Sequence, residues 1–131
     1  MKREFQINFL KRHGLSPDHK FLDLGCGTLR GGIPVLKYLN TGNYYGIDIR
    51  EETIIEAKAE VKEERLSLKQ PKLIFFEDFS QLQINQKFDL IWAFSVLIHM
   101  EDDILDKCIL FVKEHLKAGG RFFANVNLGE R

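Results

Sequence analysis

Residues Phe21 to Gly32 read FLDLGCGTLRGG: an apolar run carrying Asp23, then Gly25-x-Gly27, then a glycine pair ahead of a helical pattern. Glycines at 25 and 27 permit positive φ and place no Cβ in the way. The backbone can therefore turn tightly after a strand and approach a ligand closely. The helix that follows points its free N–H groups at the same spot, which favours a carboxylate or phosphate there. Asp48 closes the next strand-like run, YYGIDI at 44–49. A carboxylate at the tip of a second strand can accept from both hydroxyls of a ribose. In a dinucleotide fingerprint a third glycine would fall at position 30, where this chain has Arg30, whose long cationic side chain would crowd a pyrophosphate. A nicotinamide-dependent oxidoreductase is disfavoured on that ground and by Asp23 preceding the glycines.

The period of the apolar residues gives the surrounding organisation. Phe5, Phe9 and Leu10 mark a short opening helix, ended by Gly14 and the Ser16-Pro17 turn and expected to cover one edge of the ligand site. Phe21–Leu24 is a buried strand, and Pro34 suits the first turn of a helix running to Leu39. Tyr44–Ile49 is the second strand. Ile54, Ala57, Val61 and Leu68 then recur along one side of a charged helix that Pro71 stops. A third strand follows in KLIFFEDF (72–79). Phe88–Phe94 is a continuous apolar strand, and Ile104, Leu105, Cys108, Ile109, Val112 and Leu116 form a helical stripe ended by Gly119 and Gly120. Strands alternating with helices imply right-handed crossovers, a parallel sheet, and a ligand crevice at the carboxyl ends of the strands. Asp23, Asp48 and Asp78 all fall at or just beyond such ends.

With these motifs in this order the chain resembles the class I S-adenosylmethionine-dependent methyltransferases, whose first motif is a hydrophobic strand followed by Asp/Glu-x-Gly-x-Gly-x-Gly. It departs at the third glycine, where Leu29 stands. The resemblance implies an α/β, Rossmann-like, doubly wound and mostly parallel sheet in the order 3-2-1-4-5, with helices on both faces. It implies S-adenosylmethionine as cofactor, with S-adenosylhomocysteine as product, held by Asp23, Gly25, Cys26, Gly27, Thr28, Arg30, Asp48, Ile49, Asp78, Phe79, Ala93, Phe94 and Ser95. In that frame Asp23 holds the loop amides or the ligand's amino group, Asp48 the ribose and Asp78 the adenine amino group. Arg30 would meet the carboxylate of the methionine moiety. Ala93, Phe94 and Ser95 line the cofactor floor, with Trp92 a packing residue. The family's antiparallel sixth and seventh strands are expected to be missing, leaving the apolar edge FFANV (122–126) open to a homodimer or partner.

Bulk properties narrow the remaining choices. A chain of 131 residues fits one domain, 1–131, comprising a helical cap over 1–16 and an α/β core over 20–131. Nineteen basic against 19 acidic residues give zero net charge, which disfavours a nucleic-acid partner held by a broad basic field. No apolar run approaches the length of a membrane span, and MKREFQINFLKRHG lacks the continuous core of a secretory signal. Cys26 and Cys108 offer no disulfide framework, so a reducing cytoplasm is the expected setting. Cys26 is read as a small packing residue, not a nucleophile. His13, His19 and His115 are scattered and suggest no metal cluster; His99, after the fourth strand, is the one candidate for a proton acceptor, against the plainer role of tying the loop to backbone. The expected activity is methyl transfer to a small-molecule acceptor. The alternative is a non-catalytic binding module or truncated core acting in an assembly.

Overall fold

The computed structural model describes residues 4–93 and 100–124. Its elements run α1 (Phe5–Arg12), β1 (Phe21–Leu24), α2 (Gly32–Tyr38), β2 (Tyr44–Asp48), α3 (Glu51–Glu63), β3 (Lys72–Phe75), β4 (Phe88–Ala93), α4 (Asp102–His115) and β5 (Leu116–Ala124). The strands form one parallel sheet in the order β3-β2-β1-β4-β5, as the resemblance implied.

Alternation along the strands sorts the core into two layers. Phe21, Tyr44, Leu90 and Trp92 face α1, α2 and α3, whereas Leu22, Leu24, Ile47, Ile91 and Ala93 face α4. β1, in the centre, is buried over all four residues. Each apolar side chain fully withdrawn from water there contributes roughly 1.5–3 kcal/mol, which is why a strand of this length can sit between two helical layers. α1 ends in a Schellman pattern: Gly14 N donates to Lys11 O (3.2 Å), Leu15 N to Leu10 O (3.0 Å), and Gly14 takes φ +99°.

Several expected boundaries move. α3 stops at Glu63, well before Pro71, because Arg65 enters the left-handed region at φ +60°. Leu68 consequently leaves the helical stripe for a 3₁₀ turn, where it is 88% exposed. β3 ends at Phe75, and Asp78 caps a second 3₁₀ turn over Phe79–Gln81. β2 ends at Asp48, leaving Ile49 outside the strand. Gly119 and Gly120 do not terminate α4, which ends at His115 and passes directly into β5. The glycines instead lie where the β4–β5 register jumps from Phe88↔Leu116 to Leu90↔Arg121. On α4, Ile104 is exposed, and Phe111, which the stripe omitted, is in the core.

Leu29 stands where the family pattern has glycine and keeps the glycine conformation, φ +70°, while burying its side chain completely. Its carbonyl accepts from Ile33 N (3.0 Å), the first turn of α2. A leucine in this region costs roughly 1–2 kcal/mol of backbone strain, offset by an apolar side chain whose removal typically costs roughly 2–5 kcal/mol. Leu29→Ala is thus expected to lose the burial and retain the strain, and Leu29→Gly to lose the burial alone. In thermal or urea unfolding both variants should be less stable than the parent, with the glycine variant the more stable of the two by about 0.5–1 kcal/mol. The reverse order would show that the loop carries no such strain.

Candidate functional site

Beyond Leu24 the chain turns across the carboxyl end of β2. Gly25 and Gly27 take φ +78° and +58°, and the amides of Gly25 and Cys26 both donate to Ile47 O at 2.8 and 3.0 Å. The next free amide, Gly27 N, donates to Asp48 Oδ2 at 2.9 Å. A Cβ added at Gly27 would meet nothing within 4 Å, so this glycine faces open space. That space is a cavity of about 430 Å³, lined by the loop residues Gly25, Cys26, Gly27 and Thr28, by Arg30 and Gly31, and by Asp23, Gln6, Arg50, Thr53, Glu56 and Trp92. Its size falls within the roughly 300–1,000 Å³ of small-molecule sites. It lies at the carboxyl ends of β1 and β4, where the crevice of such a sheet is expected.

The two buried carboxylates differ in what holds them. Asp48 accepts on Oδ1 from the amide and Nε of Arg50 (3.0 and 3.1 Å), and on Oδ2 from Gly27 N and Arg50 Nη2 (2.9 and 3.3 Å). These donors match the roughly four acceptor directions of a carboxylate. The Arg50 side chain is 59% exposed, whereas the carboxylate it holds is 3% exposed. Asp23 accepts on Oδ2 from the Tyr44 hydroxyl (2.6 Å) and, at 3.5 Å, from Gln6 Nε2. Its carboxyl is pushed up to about 6: burial raises it, the Tyr44 and Gln6 hydrogen bonds partly counter that, and Asp48 nearby adds to the rise. The loop amides are thus held by Ile47 and Asp48. Asp23 does not take that task, because its carboxylate is turned to Tyr44 and Gln6.

The structure brings Asp23, Gly25, Cys26, Gly27, Thr28 and Arg30 together around the cavity, with Asp48 fastened to the loop from below. Ile49, just past Asp48, is 61% exposed. Ala93 is buried at the end of β4 against the α4 layer. Asp78 and Phe79 are not among the residues that line the cavity. The Asp78 carboxylate accepts from the amide and hydroxyl of Ser80 (2.9 and 2.8 Å), which together hold it below the usual carboxylate range, and it pairs with Lys107 at 3.5 Å. Phe79 packs between Phe76 and Phe111. Phe94, Ser95 and His99 lie outside the described residues. Burial, reinforced by Asp23 and Asp48, pushes the Cys26 thiol far above its ordinary range, which is the opposite of what a nucleophile needs. Among the described residues no cluster of His, Cys, Asp or Glu could hold a metal ion.

Sequence reasoning missed Gln6, Gly31, Arg50, Thr53 and Glu56 as cavity residues and gave Trp92 only a packing role. Gln6 left a usable signal: it is the polar member of the buried face of α1, beside Ile7 and Leu10. Trp92 does both jobs, packing on Phe9 at 5.4 Å between ring centroids while lining the cavity.

Comparison with known proteins agrees with this geometry. The methyltransferase domain family matches residues 22–122. The chain is 30% identical over 124 residues to the probable methyltransferase ltbC of Aspergillus luteorubrus, covering 91% of this chain and 43% of that protein. A S-adenosylmethionine-dependent methyltransferase from Clostridium acetobutylicum superposes with a TM-score of 0.76 at 30% identity, covering 96% of this chain and 49% of that one. The magnesium protoporphyrin IX methyltransferase of Synechocystis, solved with bound SAH, superposes with a TM-score of 0.70 at 26% identity, covering 85% and 48%. The chain therefore spans about half the length of the relatives it matches. With motifs, sheet order, crevice and sequence similarity all in agreement, this chain belongs to the methyltransferase domain family, in its class I, Rossmann-like form.

Proposed function

We propose that the chain binds S-adenosylmethionine in the crevice over Gly25 and Gly27 and forms the cofactor-holding part of a methyltransferase acting on a small-molecule acceptor. The observation that carries this reading is the Gly27 amide fastened to Asp48 beside an open cavity of about 430 Å³ that Asp23 also lines. The residues present fit the group. Asp48 is a ribose acceptor once Arg50 swings out, Ile49 offers an exposed apolar surface to adenine, and Asp23 can accept from the amino group while Arg30 meets the carboxylate. When bound, the cofactor supplies an electrophilic methyl group. Transfer then asks chiefly for proximity and alignment, with a base only where the acceptor is protonated. That demand is consistent with a site rich in binding groups. Among the described residues no helix is long and apolar enough to cross a membrane, and both cysteines are free and buried. A cytoplasmic setting is part of the proposal, as is one domain over 1–131. β5, last in the sheet order, is the edge at which a homodimer or partner would add.

Calorimetric titration with S-adenosylhomocysteine tests the reading. The parent chain should bind, and Asp48→Asn, which keeps the shape and removes the charge, should weaken binding roughly 10- to 100-fold, the worth of a hydrogen bond to a charged group. Saturable binding that Asp48→Asn leaves unchanged would refute the assigned site. Asp23 adds a pH dependence whose sign is fixed. Its folded value of about 6 exceeds the unfolded 3.8, so the native state holds the proton more tightly. The stabilisation this provides is complete below the unfolded value and is lost as pH rises through about 6. At neutral pH the ionised group therefore costs the fold about 3 kcal/mol. Asp23→Asn should unfold at a higher temperature than the parent near neutrality and bind S-adenosylhomocysteine less tightly. Both should be measured on the same preparation by calorimetry, and a loss of stability in this variant would contradict the assignment.

A further inference from the structure

The support beneath Asp23 is assembled from parts far apart in sequence. Tyr44, at the start of β2, is fully buried and directs its hydroxyl to Asp23 Oδ2 at 2.6 Å. Gln6, brought in by α1, approaches the same oxygen at 3.5 Å. Among the described residues both donors to this carboxylate take Oδ2, which leaves Oδ1 for a molecule in the cavity that Asp23 lines. The glycine pair ahead of α2 makes room for both donors. A Cβ on Gly31 would overlap the Gln6 amide oxygen, and one on Gly32 would overlap the Tyr44 hydroxyl. The glycine pair at the entry to α2 thus leaves room for these two polar groups, Gly32 for the buried Tyr44 hydroxyl and Gly31 for the Gln6 amide. Tyr44 could fill its place in the core as phenylalanine, packed on Phe21 at 5.7 Å; its oxygen serves the carboxylate alone.

We propose that Tyr44 is a positioning residue for the ligand: its buried hydroxyl fixes the Asp23 carboxylate and keeps it ionised toward a cationic amino group in the cavity. The inference rests on the cofactor reading above. The other polar and titratable groups around Asp23 are Asp48 on β2, Cys26 in the loop, Arg30 at the entry to α2, and Arg50 and Glu56 across the cavity. Asp48 opposes a second negative charge beside it. Tyr44 is the donor in direct contact at short range, so its loss falls on the protonation of Asp23.

The test is S-adenosylhomocysteine binding from about pH 5 to about pH 9, for the parent and Tyr44→Phe, with the Asp23 carboxyl followed by ¹³C NMR. In Tyr44→Phe the Asp23 midpoint should rise by about one pH unit, and the pH of half-maximal affinity should rise with it. Affinity should be roughly fivefold weaker near pH 6 and within about twofold of the parent near pH 9. A loss of equal size at every pH, or an unmoved Asp23 midpoint, would reduce Tyr44 to a packing residue and overturn the proposal. If Tyr44→Phe does not fold, uniform replacement of tyrosine by 3-fluorotyrosine, a more acidic and stronger donor, should lower the Asp23 midpoint; no change would overturn the proposal equally. Should the parent bind no S-adenosylhomocysteine at any pH, the cofactor reading fails, and the Asp23 midpoints still decide whether Tyr44 governs that carboxylate.

Discussion

The end of β2 holds the loop that follows β1. Three successive amides, those of Gly25, Cys26 and Gly27, find their acceptors on Ile47 and Asp48, so the glycine turn is built on the neighbouring strand as well as on its own sequence. The parallel register that pairs Leu24 with Ile47 sets this reach. Had β2 been displaced by one residue, its alternation would place Asp48 on the other side of the sheet and leave a loop amide without a partner. The crevice, the carboxylate that borders it and the start of α2 all follow from this junction.

Around it the molecule trades stability for chemistry. Asp23 is 4% exposed, and its charge has been withdrawn from water among neutral donors. An asparagine there, which could still accept from the Tyr44 hydroxyl without the charge, would serve the fold better. Leu29 shows the opposite exchange, accepting backbone strain to place one more apolar side chain in the interior. Both sit within a few residues of the glycines, in agreement with the tendency of strain and buried charge to collect at functional sites.

Much of the architecture was legible because the strands advertise themselves. FLDL, YYGID and FDLIWA are apolar runs of strand length, and their spacing by helical patterns permits little besides a parallel sheet. The places of Gly25 and Gly27 just after β1 and of Asp48 at the end of β2 were legible for the same reason, since each is defined by its distance from a strand end. What escaped depended on contacts between distant residues. Gln6 and Trp92 enter the cavity because α1 folds across β4, a juxtaposition that no local pattern encodes. The pairing of Tyr44 with Asp23 is equally remote in sequence. α3 was drawn too long because Leu68 continued its periodicity, and the left-handed turn at Arg65 has no glycine or asparagine to announce it. Asp78 was assigned by its place after β3, whereas Ser80, two residues on, captures its carboxylate locally.

The leucine at position 29 bears on how a ligand would arrive. A glycine in its place would leave the turn between β1 and α2 free to sample many backbone states, and each binding event would then have to order it. Leu29 is instead anchored in the interior, with its carbonyl already engaged in α2, so that ordering is completed when the chain folds. Association becomes entry into a preformed cradle, with little conformational entropy surrendered on arrival. Its observed rate should rise in proportion to ligand concentration, with no plateau set by a slow opening of the loop.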